Sequence, residues 1–525
     1  MQNYKKYTHK NFFDAKSSRV ESSESSEKDF IFDIFNDLQE YFKDGDEDEV
    51  LDILNELSDC VYERDHLPRN FNNFFISNQM FPIISKIVEE PLNNEILSNI
   101  IEIVDKLVTI SIQDDNDFHQ YLYDNGFFEL LIQIRDSIPF NLIPYYIHLV
   151  ANFSYINKEV RNQILNQYTP QLLNSLIFEQ GEININIRRK ASFLIWRMSM
   201  YKLDDSVSDF LDWIIDFFAK YYLDLTSDEN SLMYWLFTLD NIIEQEMLKP
   251  IELISYGYSE ILYYFIKTRK HFFIQIENEN ENNELEDVEN EEDEIVEISD
   301  KDQLKIDDLL EIVLKIIYFL INSNPKNVSK LLIYDLLDIS SEEWEKCSCL
   351  SIKIICLYIR KSKDTFPFNE FNEDNEPVNI ISLLNLFESS VFSVKYDIIL
   401  ILQEIVISNN ISDTFKIGVI IIPFLLDNLE SIDKFVLIKA MLDVLERILY
   451  TGVVSNGKYQ NKFFEVFDEN GGFDFLNNYQ DMIFNAEMNE EDVNYISNLF
   501  SLICEYFPSF EEEEEEASYQ DQLEY

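Results

Sequence analysis

Glycine and proline are scarce in this sequence, with 9 glycines and 12 prolines among 525 residues. Proteins built from many short strands need frequent tight turns, which these two residues supply, so their scarcity argues against an all-β fold. No Gly/Pro-rich linker divides the chain. Leucine, isoleucine, phenylalanine and glutamate are abundant and 46% of residues are hydrophobic. This composition is typical of an all-α protein with a large buried core.

Cysteines are few, and long hydrophobic runs are missing. The cysteines are odd in number and fit neither a disulfide framework nor paired CxxC zinc knuckles, so we expect reduced, mostly buried thiols; they are Cys60, Cys347, Cys349, Cys356 and Cys504. The longest apolar run, from Ile417 to Leu426, is shorter than the ~20 residues that span a bilayer. The start, MQNYKKYTHK, lacks the apolar core of a signal peptide. We expect a protein of the cytoplasm and nucleus that does not bind membranes.

Motifs that would indicate catalysis are missing as well. The sequence contains no GxxxxGK[ST], no GxGxxG after a strand and no GxSxG. The histidines are scattered, and none pairs with cysteine or histidine at a spacing suited to a metal; they are His9, His66, His119, His148 and His271. We therefore predict no cofactor, no metal and no enzymatic activity.

Basic residues number 41 against 99 acidic ones, which gives a net charge of −58. Such an excess repels nucleic acid and anionic membranes and attracts basic peptides or proteins. An acidic composition that is simply a habit of the source proteome is an equally good interpretation. If the charge is functional, the expected partners are basic polypeptides and not nucleic acids.

Three apolar helical segments recur in the middle of the chain, at 145–156, 189–200 and 233–243. With His148, Phe193 and Phe237 taken as equivalent points, the steps are 45 and 44 residues. A period of roughly 40–47 residues is that of HEAT and armadillo units, each of two or three helices. Stacked units bury a continuous core and present one long concave surface. The sequence therefore predicts an all-α solenoid.

The boundaries of this solenoid follow from composition. Residues 1–27 are polar and relatively basic, and residues 277–300 contain no lysine or arginine. A run of six glutamates opens the end of the chain at Glu511. We predict a flexible basic arm at 1–27, a solenoid at 28–508 with a disordered acidic insertion at 277–300, and an acidic tail at 509–525.

The closing segment is the most specific part of the sequence. FDENGGFDFLNNYQ (467–480) is followed by an amphipathic helix ending in ICEYF and by PSFEEEEEE. This order resembles the last repeat of the importin-α family of nuclear import adaptors. The residues that match in order are Asp468, Glu469, Gly471, Gly472 and Asp474. The resemblance continues backward by repeat order, through YLYDNGFFELLI and HLPRNFNNFFISNQMFPII. It implies a right-handed armadillo superhelix of about ten repeats, with an export receptor contacting this C-terminal region.

The family binds basic localisation signals through a tryptophan and, one helical turn later, an asparagine in each repeat. The tryptophan rings pack against the aliphatic stems of the lysines in the signal and attract their charges. The asparagine amides bond to the peptide backbone and hold it extended, and the four-residue spacing places both side chains on one helix face. Carried over, the third, fourth and fifth repeats give the predicted cargo-binding residues His148, Asn152, Phe193, Arg197, Phe237 and Asn241. Lys315 falls in the minor groove of the sixth repeat, and the next two repeats have Ile354 with Tyr358 and Ile401 with Ile405.

The groove residues have a second, purely structural interpretation. Aromatic residues at helical spacing are more often part of the core than slots for a ligand, and Asn152 and Asn241 could cap or bridge adjacent units.

The N-terminal arm carries a further resemblance. KNFFDAKSSRVE (10–21) resembles the family's importin-β-binding arm, with serines where an arginine run is expected. The arm's basic residues, which imply an importin-β-like carrier as partner, are Lys5, Lys6, Lys10, Lys16 and Arg19.

The favoured function from sequence is an importin-α-like adaptor that binds the basic localisation signals of cargo for nuclear protein import. One alternative is an armadillo scaffold that has lost signal binding, which the changed seventh and eighth repeats favour. Another is an acidic chaperone for basic proteins such as histones, acting through residues 277–300 and the glutamate tail.

Overall fold

The structure is a computed structural model that describes most of residues 27–506. The gaps within that range are 63–65, 68–70, 78–79, 92, 115–116, 155, 179–181, 202–207, 269–299, 342–344, 369, 373–375, 430, 433, 456–458, 477 and 479–489. The predicted arm, acidic insertion and tail lie outside the described residues, except for Glu27 and Asp300, which begin helices.

The chain forms two compact units, Met1–Gln245 and Glu246–Tyr525. The described residues contain helices, turns and no strand. The helices of unit 1 are α1 Glu27–Asp44, α2 Glu47–Tyr62, α3 Phe71–Ser77, α4 Met80–Glu89, α5 Asn94–Gln113, α6 Phe118–Asp124, α7 Phe127–Ile134, α8 Ile143–Phe153, α9 Lys158–Gln167, α10 Pro170–Phe178, α11 Glu182–Ser199, α12 Ser208–Leu225 and α13 Glu229–Glu244.

Unit 2 has the same construction. Its helices are α14 Pro250–Ser255, α15 258–268, α16 Asp300–Ser323, α17 Leu332–Ser340, α18 Glu345–Ser362, α19 Val378–Ser389, α20 Phe392–Ser408, α21 Ile411–Leu429, α22 Phe435–Val454, α23 Gln460–Glu469 and α24 Glu490–Glu505. No helix in the described part of the chain combines the length and apolarity needed to cross a bilayer.

Local sequence explains where the long helices begin and which face they bury. Asn93 caps α5 by accepting a hydrogen bond from the backbone N–H of Ile96, and Asp228 caps α13 in the same way from Ser231. Such caps stabilise a helix by about 1 kcal/mol. Along α5, buried residues at helical spacing form the face that packs on its neighbours, namely Ile96, Ile100, Ile103, Leu107 and Ile110.

The core of each unit is a ladder of long helices in which each helix packs against the next. In the described part of unit 1 the ladder runs α2, α5, α8, α11, α13, and in unit 2 it runs α16, α18, α20, α22, α24. Shorter or intervening helices, such as α10 on α11 and α17 on α18, pack against the ladder. We call the partly exposed surface of the ladder helices the ladder face, and it carries the candidate site.

The ladder keeps the repeat period found in the sequence. Hydrogen bonds join side chains on consecutive ladder helices at separations of 44 residues for Asn99 and Asn55, 43 for His148 and Asp105, and 42 for Asn241 and Ser199. Consecutive packing at a constant separation is the property that defines a solenoid. The predicted all-α solenoid is confirmed.

Gly418 lies where three helices of unit 2 pack closely together. A Cβ atom at this position of α21 would lie 2.7 Å from Cγ2 of Ile448 on α22 and 2.8 Å from Cε1 of Phe463 on α23. The glycine therefore makes room for the Phe463 ring in the middle of a buried three-helix contact.

We predict that Gly418→Ala destabilises unit 2. Overpacking a core costs about 1–3 kcal/mol, which exceeds the ~1 kcal/mol that alanine gains over glycine inside a helix. Urea unfolding followed by circular dichroism should show a lower midpoint than the wild type. Ser412→Ala, at an exposed position of the same helix, is the matched control. A midpoint for Gly418→Ala equal to that of the control would contradict the packing argument.

Candidate functional site on the ladder face of unit 1

The residues carried over from the importin-α pattern lie on three consecutive ladder helices of unit 1. Helix α8 supplies His148 and Asn152, α11 supplies Phe193 and Arg197, and α13 supplies Phe237 and Asn241. Each pair is four residues apart and so lies on one helix face. Because α8 packs on α11 and α11 on α13, the pairs form adjacent rungs.

Ring contacts join these rungs into one row. The His148 and Phe193 ring centroids are 4.7 Å apart, and Phe193 lies 5.3 Å from Tyr234. Trp196 stacks on Tyr234 at 5.6 Å with planes 21° apart, and it lies 5.6 Å from Phe237. We call these residues the aromatic row: His148, Phe193, Trp196, Tyr234 and Phe237.

Exposure within the row differs from the sequence assignment. Phe193, which aligns with the family's tryptophan, is 7% exposed and belongs mainly to the core. Trp196, Tyr234 and Phe237 are half-buried and reach the surface. Trp235 is fully buried and stacks on Phe217 at 4.8 Å. Tyr234 was missed by the sequence reasoning, although its place one turn before Phe237 was a signal that could have found it.

The two asparagines bond to the neighbouring ladder helix. Asn152 is 1% exposed, and its Nδ2 donates to Oγ1 of Thr109 at 3.2 Å. Nδ2 of Asn241 donates to Oγ of Ser199 at 3.0 Å. Both contacts correspond to the bridging interpretation of these side chains. Their role in holding a cargo backbone stays a prediction.

An acidic section lies beside the aromatic row, on α2, α5 and α8. Asp105 is 6% exposed, and its two oxygens lie 2.7 and 2.8 Å from Nδ1 of His148. Burial raises the pKa of Glu102. Partial burial raises the pKa of Tyr62 to about 12, and nearby Glu102 and Tyr145 add to the increase. We call Tyr62, Glu102, Asp105 and Tyr145 the acidic section; Lys106 of α5 lies over its Tyr62 ring, with Nζ 5.8 Å from the ring centroid.

Cationic groups of α11 lie on the same face. Arg197 is 7% exposed, and its guanidinium carbon lies 5.0 Å from the Phe193 ring centroid and 5.1 Å from that of Trp196. Burial lowers the pKa of Lys190, and the charge of Asp105 opposes the decrease. The aromatic row is therefore bordered by carboxylates on α5 and by cations on α11.

The predicted minor-groove residue, Lys315, belongs to unit 2. Its Nζ lies 2.9 Å from Glu311, one helical turn away on α16. At the corresponding positions of α18 and α20 the side chains are buried, and they are Ile354, Tyr358, Ile401 and Ile405. These four side chains therefore belong to the core of unit 2.

The glycines of the closing segment have a structural role. Gly471 has a φ of +74°, which suits glycine, and a Cβ on Gly472 would lie 2.5 Å from the Phe467 ring. Asp468, Glu469 and Asp474 are exposed around this turn. The predicted export-receptor region is thus an exposed acidic turn. The predicted carrier-binding arm, from Lys5 to Arg19, lies outside the described residues.

A metal centre is not found in the part of the chain that the structure describes. No group of three or more histidine, cysteine, aspartate or glutamate side chains there is placed to hold an ion.

No family model and no curated protein matches this sequence. Among solved structures, an engineered protein is 12% identical, covers 91% of this chain and 98% of its own, and has a TM-score of 0.52. A structure from a study of the phosphorylation switch between cadherin and beta-catenin is 10% identical, covers 96% and 95%, and has a TM-score of 0.42. The first likeness supports the fold alone, that of an all-α helical solenoid.

The bridging asparagines differ in burial, which gives a stability prediction. We expect Asn152→Ala to lower the free energy of unfolding by about 1–2 kcal/mol, because it removes a buried hydrogen bond and leaves a gap. Asn241 is half-buried, so water can replace its amide and Asn241→Ala should cost less, under about 1 kcal/mol. Urea unfolding of both variants measures the difference. Equal losses would show that burial does not set the cost of these bridges.

Proposed function

We propose that this protein is a non-enzymatic adaptor that holds an extended, basic segment of another protein against the ladder face of unit 1. The observation that carries the proposal is the continuity of the aromatic row with the acidic section. A basic segment needs both kinds of surface. The charged ends of its lysine and arginine side chains are attracted to carboxylates, and their aliphatic stems pack against apolar rings.

The acidic section supplies the attraction for the charge. Glu102 lies in a partly desolvated position, where a bound ammonium or guanidinium gains more than it would in water. Tyr62 and Tyr145 add phenol rings beside it. Ring faces attract cations, and the Tyr62 ring already has the chain's own Lys106 over it, with Nζ 5.8 Å from the centroid. The excess of acidic over basic residues in the whole chain would speed the approach of a basic partner.

The aromatic row supplies apolar contact along the segment. Trp196, Tyr234 and Phe237 lie half-exposed on adjacent helices, so their rings offer a continuous strip for extended side-chain stems. Trp196 and Tyr234 are fixed by their mutual stacking. A preformed strip of this kind saves the entropy of ordering the binding surface.

The finer role proposed is that of an importin-α-like adaptor in nuclear protein import. The resemblance of the closing segment supports it, and so does the agreement of the repeat period with armadillo units. On this proposal the basic arm engages an importin-β-like carrier and the exposed acidic turn at Asp468–Asp474 engages an export receptor. The protein would then move between cytoplasm and nucleus.

Titration calorimetry of a Lys/Arg-rich localisation peptide into the full chain, at low and at physiological salt, tests the proposal. We expect salt-sensitive binding that Glu102→Gln weakens about three- to ten-fold, because the variant removes one carboxylate from the acidic section. Glu129→Gln is the matched control: it removes the same charge from an exposed position of α7, away from the ladder. Absence of binding, or equal effects of the two variants on affinity, would contradict the proposal that this face binds a basic segment.

An acidic chaperone is the second candidate, favoured by the net charge of −58 and by residues 277–300, which contain no basic residue. Deleting 277–300 from the full chain distinguishes the two functions. An adaptor should retain its affinity for the localisation peptide, because the acidic section of unit 1 is intact. A chaperone should lose most of its affinity for basic proteins such as histones, and this loss would favour the second candidate.

A further inference from the structure

Helix α18 of unit 2 belongs to a segment that has basic residues and no acidic ones. Residues 346–363 contain no aspartate or glutamate, and their five basic residues are Lys346, Lys353, Arg360, Lys361 and Lys363. In the whole chain, acidic residues outnumber basic ones by 99 to 41. The charge of this segment therefore has the opposite sign to that of the protein.

Three of these cations lie on one exposed face of α18. Lys346, Lys353 and Arg360 follow one another at intervals of seven residues, which is close to two full helical turns. All three are exposed, the Lys346 side chain by 64% and the Arg360 side chain by 56%. We call these three residues the basic strip. At 1.5 Å per residue it extends about 21 Å along the helix.

The ion pairs that the basic strip makes with the neighbouring rungs are loose. Nζ of Lys346 lies 3.9 Å from Oε2 of Glu311 on α16, and Nε of Arg360 lies 3.7 Å from Oε1 of Glu404 on α20. Both distances exceed that of a hydrogen bond. Each of these glutamates has a closer contact with another lysine, at 2.9 and 2.7 Å. Exposed ion pairs contribute little to stability, so the strip can exchange them for a ligand at small cost.

Cations are in excess on this part of the ladder face. The third carboxylate near the strip is that of Asp397 on α20, which is half-buried. Burial raises the pKa of Asp397, and the charges of Lys353 and Arg360 oppose the increase. The carboxylates of Asp397 and of the two loose ion pairs thus face five cations, which are the basic strip together with Lys315 and Lys363.

We propose that the basic strip binds an extended, acidic segment of a partner protein. Lysine and arginine make charge-assisted hydrogen bonds to carboxylates, and arginine can bind one with two parallel bonds. Seven residues of helix advance about 10 Å, and three residues of an extended segment advance about the same distance. Acidic residues at every third position of the segment would therefore each meet one cation of the strip. This inference is independent of the function proposed for unit 1.

The net charge of −58 does not prevent this binding. At physiological ionic strength, charges more than about 8 Å apart at the surface are largely screened. A short acidic segment on the strip therefore responds mainly to the cations next to it. A nucleic acid carries a dense row of phosphates and would place many of them over the acidic surface beyond the strip, so it is the less favoured ligand.

A fluorescence anisotropy titration into the full chain, at physiological salt, tests this inference. The probe is a labelled peptide with three glutamates, each separated from the next by two neutral residues, and the control peptide has glutamines in their place. We expect the glutamate peptide to bind at least about ten-fold more tightly, because only its side chains carry a charge opposite to that of the strip.

The double variant Lys353→Gln with Arg360→Gln should weaken binding of the glutamate peptide about five- to ten-fold, because it removes two cations of the strip. Lys434→Gln with Lys462→Gln is the matched control. It removes two exposed cations of unit 2 that lie outside α18, and it should leave the affinity unchanged. All four side chains are exposed, so both variants should fold.

Four outcomes would overturn the inference. Two are equal binding of the glutamate and glutamine peptides, and equal effects of the two double variants. A third is a DNA duplex that binds more tightly than the glutamate peptide and loses its affinity in Lys353→Gln with Arg360→Gln. The fourth is peptide binding that appears only after residues 277–300 or 509–525 are deleted, because the chain's own acidic segment would then be the occupant of the strip.

Discussion

The burial of apolar surface between consecutive ladder helices is the constraint on which the structure depends. A single helix such as α5 buries a face too wide for one neighbour, so it needs α2 on one side and α8 on the other. In unit 1 that need recurs every 42–44 residues, the separations at which these side chains bond across the ladder. Because the period is fixed by packing, any side chain that reaches the ladder face is aligned with its counterparts one period away. Packing in the core therefore sets the spacing of the side chains on this face.

Polar side chains between the rungs refine this alignment. Asn152 bonds to Thr109 across one rung, and Asn241 bonds to Ser199 across another. His148 contacts Asp105 in the same way, and Asn99 bonds to Asn55. A buried amide that lost its partner would cost about 1–3 kcal/mol, so each bond holds neighbouring helices in register. The same bonds compete with any ligand for the donors they use, and a ligand on this face gains most from groups that the ladder leaves half-exposed, such as Trp196 and Tyr234.

The fold could be predicted from the sequence because periodicity survives divergence: the steps from His148 to Phe193 and Phe237 already give the rungs. The six carried-over residues lie on α8, α11 and α13, and their role in binding stays a prediction. The composition of the surface could be predicted only in part. The family pattern assigned Phe193 to the surface. The ring that is partly exposed is Trp196, which lies about one helical turn further along α11. The acidic section could not be predicted, because Asp105 becomes a neighbour of His148 only through packing across 43 residues of chain.

Arg197 shows how the chain's own side chains occupy part of the aromatic row. Its planar guanidinium packs on Phe193 and Trp196, and the side chain is 7% exposed. Ring surface that lies under this cation is not open to another group. Because the ladder fixes each side chain relative to its neighbours, the surface that the row presents is mainly that of Trp196, Tyr234 and Phe237, the rings that are only half-buried.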